Sequence, residues 1–149
     1  MSQETQDGFL DVVLVEDNKI NQKITAQQLR RAGGFNVQVA NHGQECLDVL
    51  QQVIVSPKRA RPHLILLDLE MPVMDGWACA REIRRRQRCG EFIGDVPILA
   101  LTANARPEQV ASALEAGCDA VVTKPFRSAE LIQRMQELMG EVARRRERG

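Results

Sequence analysis

Short runs of apolar residues alternate along the chain with longer stretches in which apolar positions recur every three or four residues. The first run, Val12 to Val15, is rich in β-branched residues and unbroken, the pattern of a central strand covered on both faces. Asn18 then caps a predicted helix with apolar positions Ile20, Ile24 and Leu29, which Gly33 and Gly34 stop. Val37 to Val39 reads as a strand, and Cys46, Leu47, Val49, Leu50 and Val53 as the inward face of a second helix. Ser56 to Pro62, with two prolines and three basic residues, reads as an exposed loop, and the Ile54 to Pro62 connection as longer than a minimal one. Leu64 to Leu67 is the clearest buried strand; Asp68 to Gly76 is a loop, and Trp77 to Arg88 resumes helical spacing through Trp77, Ala80 and Ile83. Ile98 to Leu101 is a fourth strand. Pro107 opens a helix with Val110, Ala113 and Leu114 inward and Gly117 at its end. Ala120 to Thr123 is the last strand. Ser128 caps a final helix carrying Leu131, Ile132, Met135, Leu138 and Met139, and beyond Gly140 the chain turns basic.

Five strands and five helices in strict alternation predict an α/β domain, a doubly wound five-stranded parallel sheet with helices on both faces. In such sheets ligands sit beyond the carboxyl ends of the strands, at the switch point of the winding. The residues there are Glu16 and Asp17 after the first strand, Asp68 after the third, Thr102 after the fourth and Lys124 after the fifth. If the first and third strands are neighbours, three carboxylates converge, and they repel one another unless protons or a cation compensate. Mg²⁺ suits such oxygen donors and keeps coordination positions for a phosphoryl oxygen. Asp68 matters most in this pattern, because it interrupts an apolar series at the tip of a buried strand, where an acid has little structural purpose.

Composition narrows the functions. The 149 residues, 44% hydrophobic and 27% charged, fit one ordinary globular domain, and 20 basic against 20 acidic residues provide no global field for nucleic acid. The arginines at 81, 84, 85, 86 and 88 read as a solvated helix face, so no nucleic-acid partner is expected. Cys46, Cys79, Cys89 and Cys118 form no C-x-x-C pair and have no metal spacing with His42 or His63, which argues against zinc; they read as small apolar residues of a reducing compartment, with a disulfide left open. No apolar run approaches the roughly 18 residues of a membrane span. Met1 to Gly8 has no secretory pattern, so a cytoplasmic location without membrane contact is expected.

Val15-Glu16-Asp17-Asn18 followed by Ile20-Asn21, Leu67-Asp68-Leu69-Glu70-Met71-Pro72 with Met74-Asp75-Gly76, Leu101-Thr102-Ala103, and Lys124-Pro125 are specific motifs in order. With them the chain resembles the receiver domain of two-component response regulators, most closely receivers of hybrid histidine kinases, from about Val12 to Met139. The resemblance implies a flavodoxin-like fold of the receiver type over 11–140, with a polar extension at 1–10 and a basic tail or linker at 141–149. It implies that Asp68 accepts a phosphoryl group, that Glu16, Asp17, Asp68 and the backbone carbonyl of Glu70 hold Mg²⁺, with Mn²⁺ as a substitute, and that Thr102 and Lys124 respond to the phosphoryl group. It further implies a cis Lys124–Pro125 peptide, and a histidine kinase or histidine phosphotransfer protein docking near the first helix and the acidic pocket.

The chemistry agrees: a carboxylate can attack phosphorus in line while Mg²⁺ and an ammonium neutralise oxygen charge, leaving an acyl phosphate. Where many family members carry an aromatic switch residue, this chain has Val121. In this family Glu70 and Asn104 occupy positions that influence hydrolysis of the acyl phosphate, and a carboxylate at Glu70 could orient water or repel it. Ile20, Ile24, Asn21 and Gln28 mark the docking face, with at least one isoleucine expected in the core. The expected role is a phosphoacceptor that relays or signals rather than a stand-alone enzyme, as a monomer or weak dimer. The competing reading is a Mg²⁺-dependent phosphohydrolase with Asp68 as nucleophile and Glu70 as second acid; a nucleotide-binding module lacks both glycine-rich phosphate loops.

Overall fold

The computed structural model describes residues 9–55, 62–71, 74–91 and 96–148; side chains are described for these except 53–55 and 146–148. The extension before Phe9, the loop at 56–61 and Pro72 of the second motif lie outside the described residues. Among the described residues ten elements follow in chain order: β1 Leu10–Val15, α1 Lys19–Ala32, β2 Phe35–Ala40, α2 Gly43–Val55, β3 Leu64–Asp68, α3 Gly76–Arg88, β4 Ile98–Thr102, α4 Pro107–Ala116, β5 Ala120–Thr123 and α5 Ser128–Arg148.

The strands form one parallel sheet in the order β2-β1-β3-β4-β5. Every interior strand is buried on both faces, so alternate residues serve two cores. Val13, Val15, Ile65, Leu67, Ile98 and Ala100 face α2, α3 and α4, whereas Val12, Leu14, Leu64, Leu66, Leu99 and Leu101 face α1 and α5. This arrangement explains the unbroken apolar runs, since a half-exposed strand would alternate instead. The winding reverses between β1 and β3, which opens the crevice at their carboxyl ends.

Three differences from the sequence expectations have physical causes. The inward stripe of α1 is Gln22, Thr25, Ala26 and Leu29, whereas Ile20 is 69% and Ile24 50% exposed, so neither isoleucine is core. The helix begins over the polar carboxyl edge, where a side chain that can hydrogen-bond belongs on the inner face. Leu114, expected to point inward from α4, is exposed, and Ala113 and Ala116 make the contact. Small residues there let α4 lie close to the sheet. Finally, α5 does not end at Gly140 but continues to Arg148, and Val142 is buried against the α1/α5 core, so the expected tail is helical. One interior glycine costs about 1 kcal/mol relative to alanine, less than burying a valine contributes. Smaller shifts are that β1 begins at Leu10, inside the expected extension, and that Ile54 and Val55 belong to α2.

Arg84 of α3, expected on a solvated arginine face, is instead largely buried and braces the amino ends of β4 and β5, because carbonyls and a carboxylate there take its donors. Its guanidinium donates to the carbonyls of Gly117 and Val96, each at 2.9 Å, and to Asp119 at 2.8 Å. Asp119 also accepts the Ile98 N–H at 2.8 Å and lies 3.7 Å from Arg145, which ties the last turns of α5 to the sheet. Gly117 adopts φ +117°, and a Cβ there would come within 2.5 Å of the Arg84 side chain, so conformation and contact both call for glycine.

Candidate functional site

Parallel register carries the polar residues to one place. Val15 pairs with Leu67, Asp68 with Leu101 and Thr102 with Thr123, so Glu16, Asp68, Thr102 and Lys124 emerge side by side at the carboxyl edge. Oxygens of Glu16, Asp17 and Asp68 lie within 4.8 Å of one another. Glu16 and Asp68 are buried, and Asp17 is the most open of the three.

Lys124 reaches back over the pair, its Nζ 3.3 Å from Asp68 Oδ1 and 3.5 Å from Glu16 Oε1. The Glu70 N–H donates to Asp68 Oδ1 at 3.2 Å, and the Asn18 N–H to Glu16 Oε2 at 3.3 Å. One ammonium does not offset three acids. Burial first, and then the Glu16 carboxylate beside it, push Asp68 up to about 7. Glu16 ends below its ordinary value; burial raises it, but hydrogen bonding from Asp68, the Lys124 charge and the Asn18 N–H outweigh that. The two carboxyls thus resist losing both protons together, with Asp68 the one held up. Such a group of hard oxygen donors with too little positive charge fits a small divalent cation, which would displace a retained proton.

Thr102 stands beside this group, 1% exposed, and its hydroxyl donates to Glu70 Oε1 at 2.5 Å. The Asn104 N–H donates to the same hydroxyl oxygen at 3.1 Å, and Asn104 Oδ1 accepts the Arg106 N–H at 3.0 Å. Arg106 is the N-cap of α4, so the loop after β4 is organised on Thr102. The peptide between Lys124 and Pro125 is cis, as the motif implies.

Two contributors were not singled out for these roles in the sequence. Gln22 is buried, and its amide donates to the Glu16 carbonyl at 2.5 Å and to Asn41 Oδ1 at 2.8 Å; Asn41 in turn donates to Glu45. This chain fixes the acidic turn after β1 to α1 and α2. Its only trace in the sequence is polar residues on a helix face and turn that hydrophobic spacing disregards. Gly76 is the other: a Cβ there would lie 2.6 Å from both the Asp68 carbonyl oxygen and Leu69 Cα, so only glycine lets α3 begin against the acid-bearing loop. Asp75 caps that helix through the Ala78 N–H at 2.8 Å.

Comparison with known proteins agrees with this architecture. The family model of the response regulator receiver domain matches residues 12–136. The peroxide stress-activated histidine kinase mak1 of Schizosaccharomyces pombe is 39% identical over 122 residues, covering 80% of this chain and 7% of that protein. The hybrid signal transduction histidine kinase M of Dictyostelium discoideum is 35% identical over 128 residues, covering 86% of this chain and 5% of that protein. The chain therefore spans a small part of these kinases. Among solved structures, the receiver domain of a sensor histidine kinase from Pseudomonas aeruginosa PAO1, with a magnesium ion coordinated in its active site cleft, superposes with a TM-score of 0.73 at 34% identity, covering 89% of this chain and 98% of that one. The Vibrio cholerae chemotaxis protein CheY4 gives a TM-score of 0.74 at 27% identity, covering 87% and 98%. With an acidic crevice at the β1/β3 switch point and a family match across nearly the whole sheet, the chain belongs to the response regulator receiver domains of two-component signalling.

Proposed function

We propose that this domain accepts a phosphoryl group from phosphohistidine on Asp68 and passes it on or signals with it. The observation that carries this reading is the buried Asp68 carboxylate held between the Lys124 ammonium and the Glu70 N–H, at 3.3 Å and 3.2 Å. Glu16, Asp17, Asp68 and the Glu70 carbonyl would hold Mg²⁺, with Mn²⁺ as a substitute; the bound cation supplies charge neutralisation for the phosphoryl oxygens. The other functions fall to the chain itself. The Asp68 oxygen attacks phosphorus in line as the bond to the donor imidazole breaks, and Lys124 neutralises an oxygen of the group in transit. The Glu70 N–H, fixed by its place in the chain, holds Asp68 Oδ1 and so orients the carboxylate. Thr102 supplies a hydroxyl within the same edge for the product.

The exposed Ile20 and Ile24 on α1, beside the acidic crevice, form the docking face for a histidine kinase or phosphotransfer protein. Similarity to histidine kinases supports a place in a hybrid kinase and a cytoplasmic setting; no helix among the described residues is long and apolar enough to cross a membrane.

The test is intact-protein mass after incubation with acetyl phosphate and Mg²⁺, with Asp68→Asn and chelated samples alongside and phosphate release followed in the same tube. A single phosphoryl increment, or release, that needs both Asp68 and Mg²⁺ is expected. Neither appearing would remove the phosphoacceptor role.

A further inference from the structure

The structure assigns a further role to the Glu70 side chain: it is a positioning residue that holds the Thr102 hydroxyl in the unphosphorylated domain and must release it when Asp68 is phosphorylated. This rests on the reading of Asp68 as phosphoacceptor. A hydroxyl has one proton to donate, and here it goes to Glu70 Oε1 at 2.5 Å, far closer than the Asn104 carbonyl at 3.4 Å. The acceptor is a carboxylate at the surface, and the donor is buried, Thr102 being 1% exposed, so the hydroxyl has few other partners within reach. Donation to Glu70 and donation to a phosphoryl oxygen on Asp68 are therefore mutually exclusive.

Glu70 is well placed to sense that exchange. Its N–H donates to Asp68 Oδ1 at 3.2 Å while its carboxylate holds Thr102, so one residue contacts both the acceptor and the hydroxyl. A phosphoryl group on Asp68 offers the hydroxyl a competing acceptor with more negative charge than the Glu70 carboxylate. The consequence travels because the Thr102 oxygen also anchors the Asn104 N–H, and Asn104 anchors the N-cap of α4. Val121 on β5 has no polar group that could exchange partners in this way, so the hydroxyl itself is the moving contact.

The experiment measures the affinity of the full chain, with Mg²⁺, for beryllium trifluoride, a tetrahedral phosphoryl mimic, in the wild type, Glu70→Ala, Thr102→Val and the double variant. Binding is read from the Asn104 and Arg106 amide resonances. Removing Glu70 is expected to tighten binding about 10-fold where Thr102 is present but only about 2-fold in Thr102→Val, where loss of negative charge alone remains. Thr102→Ser should restore the larger effect. Equal tightening in both backgrounds would overturn the assignment. In the unliganded Glu70→Ala protein, the two amides should move towards their positions in the liganded wild type; unchanged resonances would also overturn it. If the wild type binds no mimic, the phosphoacceptor reading fails, and the unliganded amides still decide whether Glu70 holds Thr102.

Discussion

The two ends of the sheet treat buried charge in opposite ways. At the amino end, Arg84 spreads its guanidinium over two carbonyls and the Asp119 carboxylate, and Asp119 takes a strand N–H and Arg145 as well. At the carboxyl end, three acids face one lysine, and Asp68 is driven up to about 7 by burial and by its neighbour Glu16. One end is satisfied within the chain, whereas the other keeps an excess of acidic groups. A completed network serves stability; an incomplete one is what the proposed function needs, since a cation and a phosphoryl group would complete it.

That contrast can be broken from either side. The largest effect is expected at Asp68: Asp68→Asn should reduce acetyl phosphate labelling more than about 100-fold by intact mass, because it removes the attacking oxygen. Arg84→Leu should do the reverse, removing one donor from Asp119 and from each of two carbonyls and costing about 3 kcal/mol in urea unfolding, with labelling of the folded fraction retained.

The pH response sharpens the same comparison. Because the Asp68 pKa is raised from an ordinary value of 3.8 to about 7 in the folded domain, its contribution to stability is fully present below the ordinary value and is lost as pH rises through 7. In metal-free protein, wild type should therefore lose about 2–3 kcal/mol relative to Asp68→Asn between pH 5 and pH 8, as measured by paired denaturant titrations. Added Mg²⁺ at pH 8 should stabilise the wild type more than the asparagine variant.

Smaller effects mark where the acidic end depends on close packing. Gly76→Ala places a Cβ against the Asp68 carbonyl and Leu69 Cα, and should cost about 1–2 kcal/mol while slowing labelling. Smallest of all, the Ile20→Ser and Ile24→Ser double variant should change stability by less than about 0.5 kcal/mol, since both side chains are exposed. It should nevertheless slow transfer from a phosphohistidine partner and leave acetyl phosphate labelling unchanged, which separates docking from chemistry.

How much was legible beforehand follows the same physical divide. Runs such as Leu64 to Leu67 and Ile98 to Leu101 could be read as doubly covered strands because burial on both faces excludes polar residues, and strict alternation with helices then left a parallel sheet. Residues immediately after those strands had to share an edge, so Glu16, Asp68, Thr102 and Lys124 were legible as a group. Misreadings arose where apolar spacing does not reveal orientation. Ile20 and Ile24 have helical spacing but lie on the outer face, because the inner face at that end is occupied by Gln22 reaching for the Glu16 carbonyl. The helix continuing through Gly140 depended likewise on the burial of Val142 against the packed α1/α5 layer.

The sequence by itself determined the order and type of elements, the parallel winding and the set of acids, hydroxyl and lysine at one edge, because periodicity and chain order are local properties. Tertiary structure alone decided how those groups are paired. That burial and Glu16 raise Asp68, that Thr102 gives its hydroxyl to Glu70, and that Arg84 satisfies Asp119 all depend on distances between residues remote in the chain. Coulombic and hydrogen-bond energies vary steeply with such distances and with burial, and neither quantity exists until the sheet has closed.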